Sequence, residues 1–205
     1  VSEDKISNFY EEWLTPLHIR GHCKVVTDVA MKIADAYIQK GEIINTNLIY
    51  SACMLHDLHR ICDIRDINRS GFDEEVTDEM WDKWMKFREE FKGQHHAEIT
   101  AKVLSNLGYT DTAEAIRLHM SKDIILEPES YDALEKKIVY YADKRVKHTE
   151  IVDLNERFRD GHERYGKFNP ATAQEFFEKV KKATFELEEE LFCGLDVTPS
   201  SSFFV

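Results

Sequence analysis

The sequence predicts an all-α fold, a single-domain helical bundle. Apolar residues recur at spacings of three and four through most of the chain, which is the period of an amphipathic helix. No alternating strand pattern of any length and no internal repeat is present. The 205 residues, 42% hydrophobic and 32% charged, can bury one sizeable core. We therefore expect one domain over residues 1–205, with its motifs between about 17 and 148.

The first two predicted helices cover residues 3–14 and 17–40. The first is short and amphipathic and carries an aromatic edge. In the second, Gly21 is expected to mark a turn, after which an apolar face continues until Gly41 ends the helix. His22 shares that face at its first turn, so its imidazole is expected to point inward.

The stretch from Leu48 to Arg60 is central to the prediction. It reads Leu-Ile-Tyr-Ser-Ala-Cys-Met-Leu-His-Asp-Leu-His-Arg, and Asn45 or Thr46 can cap its helix. His56 lies on the apolar stripe, and Asp57 follows directly. A buried imidazole beside a carboxylate must be hydrogen-bonded, ion-paired or metal-bound, because an unpaired buried charge is costly. The pair therefore looks like half of a metal site, with a hydrogen-bonded core histidine as the alternative.

Residues 61–77 are charged and irregular and are predicted to form a loop. Thr77 or Asp78 then opens a helix to Phe91 that is rich in aromatic residues. We expect these aromatic side chains to pack as core or as a flap over a cleft. A partner surface is the alternative.

Two further helices each carry an inward histidine. On a helical wheel of residues 95–107, the apolar residues centre on the direction of His96, whereas His95 lies at the edge of that face. In the following helix, His119 lines up with the apolar residues of the inner side.

A longer helix is predicted from Tyr131 to His148, after a turn at Glu127-Pro128. On its surface, Asp143 and Lys147 fall on one stripe.

The C-terminal part is predicted to contain one loop and one helix. Residues 153–169 are polar and include Gly161 and Gly166, which indicates a loop. A last amphipathic helix is expected from Pro170 to about Phe192, and the tail at 196–205 is expected to be frayed.

The net charge of −12 bears on the partners of the protein. A field of this sign repels nucleic acid and anionic membranes, so a phosphorylated ligand needs local cations or metal. This favours a small substrate, with no nucleic acid and no membrane as partners. The sequence leaves a homo-oligomer open.

The cysteines and the apolar runs predict a soluble, cytoplasmic protein. Cys23, Cys53, Cys62 and Cys193 form no Cys-x-x-Cys pair and are expected to be reduced thiols. No charged-then-apolar leader opens the chain, and no apolar run approaches the length of a membrane span.

Five predicted helices thus each offer an inward side chain of a type that binds metals. Successive members are separated by about one helix–loop–helix unit, so a bundle can bring them to one point. They are His22, the pair His56-Asp57, His96, His119 and Asp143.

This ordered set resembles the HD superfamily of metal-dependent phosphohydrolases, over roughly residues 17–147. The resemblance is carried by His22-Cys-Lys-Val-Val, Leu55-His56-Asp57-Leu58-His59-Arg60, His96-Ala-Glu-Ile-Thr-Ala101 and Tyr141-Ala142-Asp143. In the third motif, a histidine followed five residues later by alanine again selects His96 over His95. His59 departs from the family pattern.

The resemblance implies an HD-type helical bundle with one or two divalent ions. His22, His56, Asp57 and Asp143 would bind the first ion, and His96 and His119, with Asp57 bridging, the second. The mixed nitrogen and oxygen donors suit Mn, Fe, Co, Ni, Zn or Mg and do not choose among them. A core polar network is the alternative for the first set, and a structural role or a mononuclear site for the histidines of the second.

Cations near these ligands are expected to position a phosphate group. Arg60 comes first, because a guanidinium fork matches phosphate oxygens, and Lys144, Arg145 and Lys147 follow. The alternatives are an exposed helix-end cation for Arg60 and a salt bridge with Asp143 for Lys147. The remaining histidines are expected at the surface or in loops: His18, His59, His148 and His162.

The resemblance implies hydrolysis of a phosphoester or phosphoanhydride in a small molecule, with Asp57 at the centre of the chemistry. Nucleotides or dinucleoside polyphosphates are the favoured substrates. The run from Lys136 to Asp143 is similar to the branch that includes diadenosine-tetraphosphate hydrolases. No Gly-Tyr-Pro follows the histidines as in cyclic-di-GMP relatives, which disfavours that substrate. A di-iron oxygenase of the same superfamily and a catalytically silent metal-dependent binding module are the alternatives.

Overall fold

Helices form nearly all the regular structure in the computed structural model, which describes residues 1–165, 171–200 and 204. The all-α prediction is confirmed. In chain order the helices are α1 (Glu3–Glu12), α2 (Leu17–Gln39), α3 (Thr46–Leu55), α4 (Asp78–Glu90), α5 (His96–Asn106), α6 (Thr110–Arg117), α7 (Asp123–Leu126), α8 (Leu134–Lys144), α9 (Leu154–Tyr165) and α10 (Ala171–Phe192). Short 3-10 turns cover Arg60–Cys62, Arg69–Gly71 and Pro128–Ser130.

Side-chain caps fix where three of the central helices begin. Asn45 Oδ1 accepts from the Leu48 amide at 3.1 Å, so Asn45 and not Thr46 caps α3. Thr77 caps α4 in the same way, and the His95 side chain accepts from the first turn of α5. The His95 cap places the candidate ligand His96 at the first position of α5.

Gly21 does not make the predicted turn, because α2 passes through it without a break. A Cβ at this position would lie 3.4 Å from Thr149 Cγ2. The glycine therefore lets another segment approach the helix closely. Gly41 ends α2 as predicted, with a positive φ of 99° that glycine adopts without strain.

The helix predicted over 131–148 is shorter in the structure and ends at Lys144. The chain then forms an antiparallel hairpin, β1 (Val146–Lys147) and β2 (Glu150–Ile151), in which Val146 pairs with Ile151. The buried Val146 belongs to the core, and its β-branched side chain suits a strand. Lys147 is consequently a strand residue.

The loop predicted from residue 153 is wrong where the structure describes it, because α9 occupies this region. Asp153 Oδ1 accepts from the Glu156 amide at 2.9 Å and caps the helix. Leu154 and Phe158 are buried on its apolar side. Gly161 lies within the helix, while the predictions for Gly166 and Pro170 fall outside the described residues.

Two described positions of the C-terminal tail pack against the body. The Pro199 carbonyl accepts from Arg145 Nη1 at 2.9 Å, and the Arg145 guanidinium lies 4.7 Å from the ring centre of the buried Phe204. The tail was predicted to be frayed, but at these two positions it is packed against the body. Residues 201–203 and 205 lie outside the described part.

The main core lies between α2, α3, α6 and α8, with α5 packed against α6. A smaller core forms around Trp84 of α4, together with Ile61, Cys62 and Ile99. Trp84 is fully buried, and its Nε1 donates to the Leu14 carbonyl at 2.9 Å. The expectation that the aromatic residues of α4 pack as core is therefore confirmed for Trp84.

All four cysteines are free, and three of them are buried. Within the described residues, no helix combines the length and the apolar character that a membrane span requires.

Candidate metal centre

The structure brings together the six side chains that were predicted as metal ligands. They converge because five helices of the main core begin or end in the same region. His22 lies near the start of α2, His56 and Asp57 follow α3, His96 begins α5, His119 follows α6, and Asp143 lies in the last turn of α8.

The first group of three consists of His22, His56 and Asp143. Asp143 Oδ1 lies 3.2 Å from His22 Nε2 and 3.6 Å from His56 Nε2. The imidazole centres of the two histidines are 5.3 Å apart. One carboxylate oxygen and two ring nitrogens therefore face a common point, and the group could hold a metal ion.

The second group of three consists of Asp57, His96 and His119. Asp57 Oδ1 lies 2.9 Å from His96 Nε2 and 3.8 Å from His119 Nε2. The two Nε2 atoms are 3.2 Å apart. This group could also hold a metal ion.

Asp57 lies between the two groups. Its Oδ2 is 3.9 Å from His56 Nε2 of the first group, while its Oδ1 faces the second. The rings of His56 and His119 are 5.0 Å apart across the same boundary. Asp57 therefore belongs to the second group and turns its other oxygen toward the first, where a bridging ligand would lie.

Hydrogen bonds at Nδ1 orient all four imidazoles of these groups. The acceptors are the carbonyl of His148 for His22 at 2.7 Å, of Cys53 for His56 at 2.7 Å and of Ile116 for His119 at 2.6 Å, and Asp63 Oδ2 for His96 at 2.7 Å. Carbonyl and carboxylate oxygens only accept, so the proton of each neutral ring lies on Nδ1. Each ring then turns its Nε2 toward the centre, as histidines that bind metals do.

This arrangement places one buried ring nitrogen without a partner beside two others that lie close together. His56 Nε2 is buried without a hydrogen-bond partner, and the Nε2 atoms of His96 and His119 lie 3.2 Å apart. Buried nitrogens this close are unfavourable unless a proton or a cation lies between them. The donor set therefore fits divalent cations.

The surrounding charges keep both carboxylates ionised. Burial raises the pKa of Asp57, but His56, His96 and Arg60 lower it more, so the net pKa lies well below its ordinary value. Burial also raises the pKa of Asp143, but Lys144 and the imidazoles of its own group lower it more. The net pKa of Asp143 therefore lies well below the usual range. Both groups thus offer an anionic ligand at neutral pH.

Burial also keeps His119 in the form that binds metals. Its pKa lies well below the ordinary value, first because of desolvation and then because of His56 and His96. A neutral imidazole has the free lone pair that a metal ion needs.

Asp63 is a site residue that sequence reasoning missed. Its Oδ2 accepts from the backbone amide of His96 at 3.0 Å as well as from the ring, and its Oδ1 accepts from Arg60 Nη1 at 2.8 Å. Burial raises its pKa, but His96 and Arg60 lower it to about 2. Asp63 lies in a charged segment without helical phase, so no sequence signal distinguished it from the neighbouring acidic residues.

Arg60 lies beside the second group of three. Its side chain is 28% exposed, and Nη1 is 3.0 Å from His96 Nδ1 and paired with Asp63. The guanidinium is thus held by a carboxylate at the edge of the centre, where the sequence expectation placed a phosphate-binding cation.

The three other predicted cations have different surroundings. Lys144 is buried, and its Nζ donates to Asp143 Oδ2 at 2.6 Å and to the His119 carbonyl at 2.9 Å. Arg145 is fully buried and donates to the Val152 carbonyl and the Tyr141 hydroxyl, both at 2.6 Å, so it stabilises the fold away from solvent.

The prediction that Lys147 shares a helical stripe with Asp143 is wrong, because α8 ends before Lys147. Its Nζ pairs with Glu156 Oε1 of α9 at 2.8 Å. The assignment of Lys147 to phosphate stays a prediction without that structural support.

His59 was expected at the surface or in a loop; it lies in the turn that follows α3 and is fully buried. Its Nδ1 donates to Thr100 Oγ1 at 2.9 Å, while that hydroxyl donates to the His96 carbonyl. Burial, with a contribution from His96, lowers the pKa of His59 to about 3, so the ring stays neutral. Its ring packs 4.1 Å from Trp13, which explains why an imidazole fits this apolar position.

A scan against protein-family models matched the HD domain over residues 19–146. The matched span contains all six side chains of the two groups and agrees with the span of the sequence resemblance. Searches of curated proteins and of solved structures returned no significant match.

Proposed function

The chain belongs to the HD domain family, and from this we propose that it is a metal-dependent phosphohydrolase. We propose that it cleaves a phosphoester or phosphoanhydride bond in a small molecule. One observation carries the proposal: two groups of three ligand-type side chains lie side by side, Asp57 of the second group faces His56 of the first, and all four imidazoles turn Nε2 toward them.

The proposal assigns the six side chains to two ions. His22, His56, Asp57 and Asp143 would hold the first ion, and His96, His119 and the second oxygen of Asp57 the other. Divalent ions bound there would lower the pKa of water and neutralise charge on a phosphoryl group. The donor set is compatible with Mn, Fe, Co, Ni, Zn or Mg.

The protein itself supplies orientation. Lys144 holds one oxygen of Asp143, so that only Oδ1 faces the imidazoles. Asp63 Oδ2 fixes His96 through two hydrogen bonds, one from its backbone amide and one from ring Nδ1. The contact with Asp63 raises the basicity of His96, and both contacts reduce the cost of ordering the ligands when an ion binds.

Arg60 is the proposed phosphate-positioning residue. Its guanidinium borders the group that contains His96, with Nη1 3.0 Å from His96 Nδ1. A planar guanidinium can donate two parallel hydrogen bonds to phosphate oxygens. In a chain of net charge −12, such a local cation would favour binding of a phosphorylated substrate. Nucleotides and dinucleoside polyphosphates remain the proposed substrate class.

The experiment begins with metal analysis of protein purified without added ions. A screen of phosphomonoesters, phosphodiesters and nucleotides with Mn²⁺ and Co²⁺ follows. Asp57→Ala should lose bound metal and turnover together, because it removes a proposed ligand of both ions. Asp28→Ala is the matched control, since Asp28 is exposed on α2 and pairs only with Lys24 among the contacts described.

The alternatives give different results in the same experiment. Full activity in Asp57→Ala would remove this residue from the site. Tightly bound iron with an oxygen-dependent optical band and no phosphatase activity would favour the oxygenase. Metal binding without turnover of any phosphoester would favour a binding module.

A further inference from the structure

A groove lies beside the candidate metal centre, between α4 and the start of α5. Its volume is about 960 Å³, which is within the range of sites for nucleotide-sized ligands and far larger than a single phosphate needs. Its wall includes Asp63, Arg65, Arg88, Lys92 and His95.

The groove and the metal centre share a wall. Asp63 lines the groove and accepts from His96 Nδ1 at 2.7 Å. His95 also lines it, with its ring 4.0 Å from that of His96 and 6.4 Å from that of His119. A ligand in the groove would therefore lie next to the second group of three.

The charge of the groove is opposite to that of the protein. Three cations, Arg65, Arg88 and Lys92, line it in a chain of net charge −12. Of the two carboxylates on the wall, Asp63 is already paired with Arg60 and His96. The other, Glu89, makes a long 3.5 Å contact with Lys92, and both side chains are more than 70% exposed, so the pair is weak.

Arg88 is held in place on this wall. Its Nη1 donates to the Ile61 carbonyl at 2.7 Å, in the segment that continues to Asp63. A guanidinium has five N–H donors, and one such bond fixes its orientation without using the others.

We propose that this groove binds a chain of linked phosphates that extends from the scissile group. The inference rests on the proposed function, since the metal centre would hold the phosphoryl group that is cleaved. Three cations from the segment after α3, from α4 and from the turn before α5 match an extended polyanion better than a single phosphate. The preferred substrates would then carry at least three linked phosphates.

The test is calorimetric titration with the bis(methylene) analogue of inorganic triphosphate, whose carbon bridges resist hydrolysis. Mg²⁺ is kept in excess so that the anion does not withdraw ions from the protein. The double variant Arg65→Gln with Lys92→Gln should bind the analogue roughly tenfold more weakly or worse, because two charged contacts are lost. Arg88 is left intact because of its contact with Ile61.

The matched control is Lys179→Gln with Lys182→Gln, which removes two exposed charges from α10. Its affinity should stay within about twofold of the wild type, since its contribution is only a screened long-range field. Unchanged thermal unfolding and metal content in both variants would show that fold and centre are intact.

Equal affinity of wild type and groove variant would overturn the inference. If Lys179→Gln with Lys182→Gln lost as much affinity for the analogue, the inference would also be overturned, because the effect would then come from the net charge of the protein. If the groove variant lost affinity for orthophosphate by the same factor as for the analogue, the preference for linked phosphates would be contradicted. Because binding is measured without turnover, a wild type that hydrolyses no phosphoester but needs Arg65 and Lys92 for the analogue would refute the proposed function alone.

Discussion

Lys144 Nζ donates to Asp143 Oδ2 at 2.6 Å, and the other oxygen of that carboxylate lies 3.2 Å from His22 Nε2. The same ammonium donates to the His119 carbonyl at 2.9 Å. One buried lysine thus ties a carboxylate of the first group to the backbone of the second. Lys144 follows Asp143 directly in the chain, so the first contact is local. The contact with the His119 carbonyl forms only because α6 packs against α8.

Lys144→Met is expected to weaken divalent-metal binding by roughly 10- to 100-fold, as for other outer contacts of metal ligands. The variant keeps the length of the side chain but leaves Asp143 Oδ2 without a donor. Manganese titration of metal-free protein measures the effect, with Lys24→Met on the exposed face of α2 as control. Unchanged metal affinity in Lys144→Met would limit this residue to a structural role.

Asp63→Asn should reduce the affinity for one ion and spare the other. The amide can still accept a hydrogen bond from His96, but the negative charge that raises the basicity of the ring is lost. A titration that resolves two binding steps should show roughly a 10- to 100-fold loss in one of them. Asp66→Asn, at an exposed position of the same segment, is the control. Equal losses in both steps would contradict the separate roles of the two groups.

His119→Ala should lower the metal content of the second group while the first stays filled. The imidazole is neutral and directs Nε2 at the centre, so its removal leaves that group with one histidine and the shared Asp57. Elemental analysis after gel filtration measures the loss, and the exposed His162→Ala is the control. Full metal content in a folded His119→Ala protein would exclude this residue as a ligand.

Trp84→Ala is expected to lower the free energy of unfolding by about 3–5 kcal/mol, the usual cost of truncating a buried tryptophan. Trp84 is fully buried in the smaller core and supports Ile61, which lies between Arg60 and Asp63 in the chain. Urea denaturation measures the change. Trp81→Ala, at a partly exposed position of the same helix, should cost clearly less. Equal costs for both variants would show that the smaller core contributes little.

Helical phase predicted the ligand set because each of these side chains lies close to a helix end that faces the core. His56 and His96 were placed inward by the apolar residues around them, and both are buried in the structure. Their order in the sequence also carried the family resemblance. Regular local structure was therefore enough to identify this part of the centre.

Lys147 shows a case in which helical periodicity predicts the wrong structure. Apolar spacing continued past Lys144, but the hairpin at 146–151 forms through pairing with residues further along the chain. No local pattern distinguishes a helix that continues from one that is replaced by such pairing. The same limit explains why α9 was predicted as a loop. Its sequence is mostly polar, but Asp153 caps the helix and the buried Phe158 packs against the core.

Asp63 and His59 show a second limit. Asp63 lies in irregular backbone, so its contact with His96 follows from the tertiary position of the segment alone. His59 is a polar residue in an apolar environment, and its burial depends on the distant partners Thr100 and Trp13. Contacts between segments of this kind cannot be read from spacing.

The most direct test of the central claim is a Mn²⁺ titration of chelator-treated protein, wild type against Asp57→Ala, with Asp28→Ala as control. The wild type and the control should bind Mn²⁺ saturably, with up to two ions per chain sharing the Asp57 carboxylate. Asp57→Ala should lose this binding while it keeps the helical circular-dichroism spectrum. The account would be contradicted if the wild type bound neither Mn²⁺ nor any other divalent ion saturably. It would also be contradicted if Asp57→Ala bound Mn²⁺ as the wild type does.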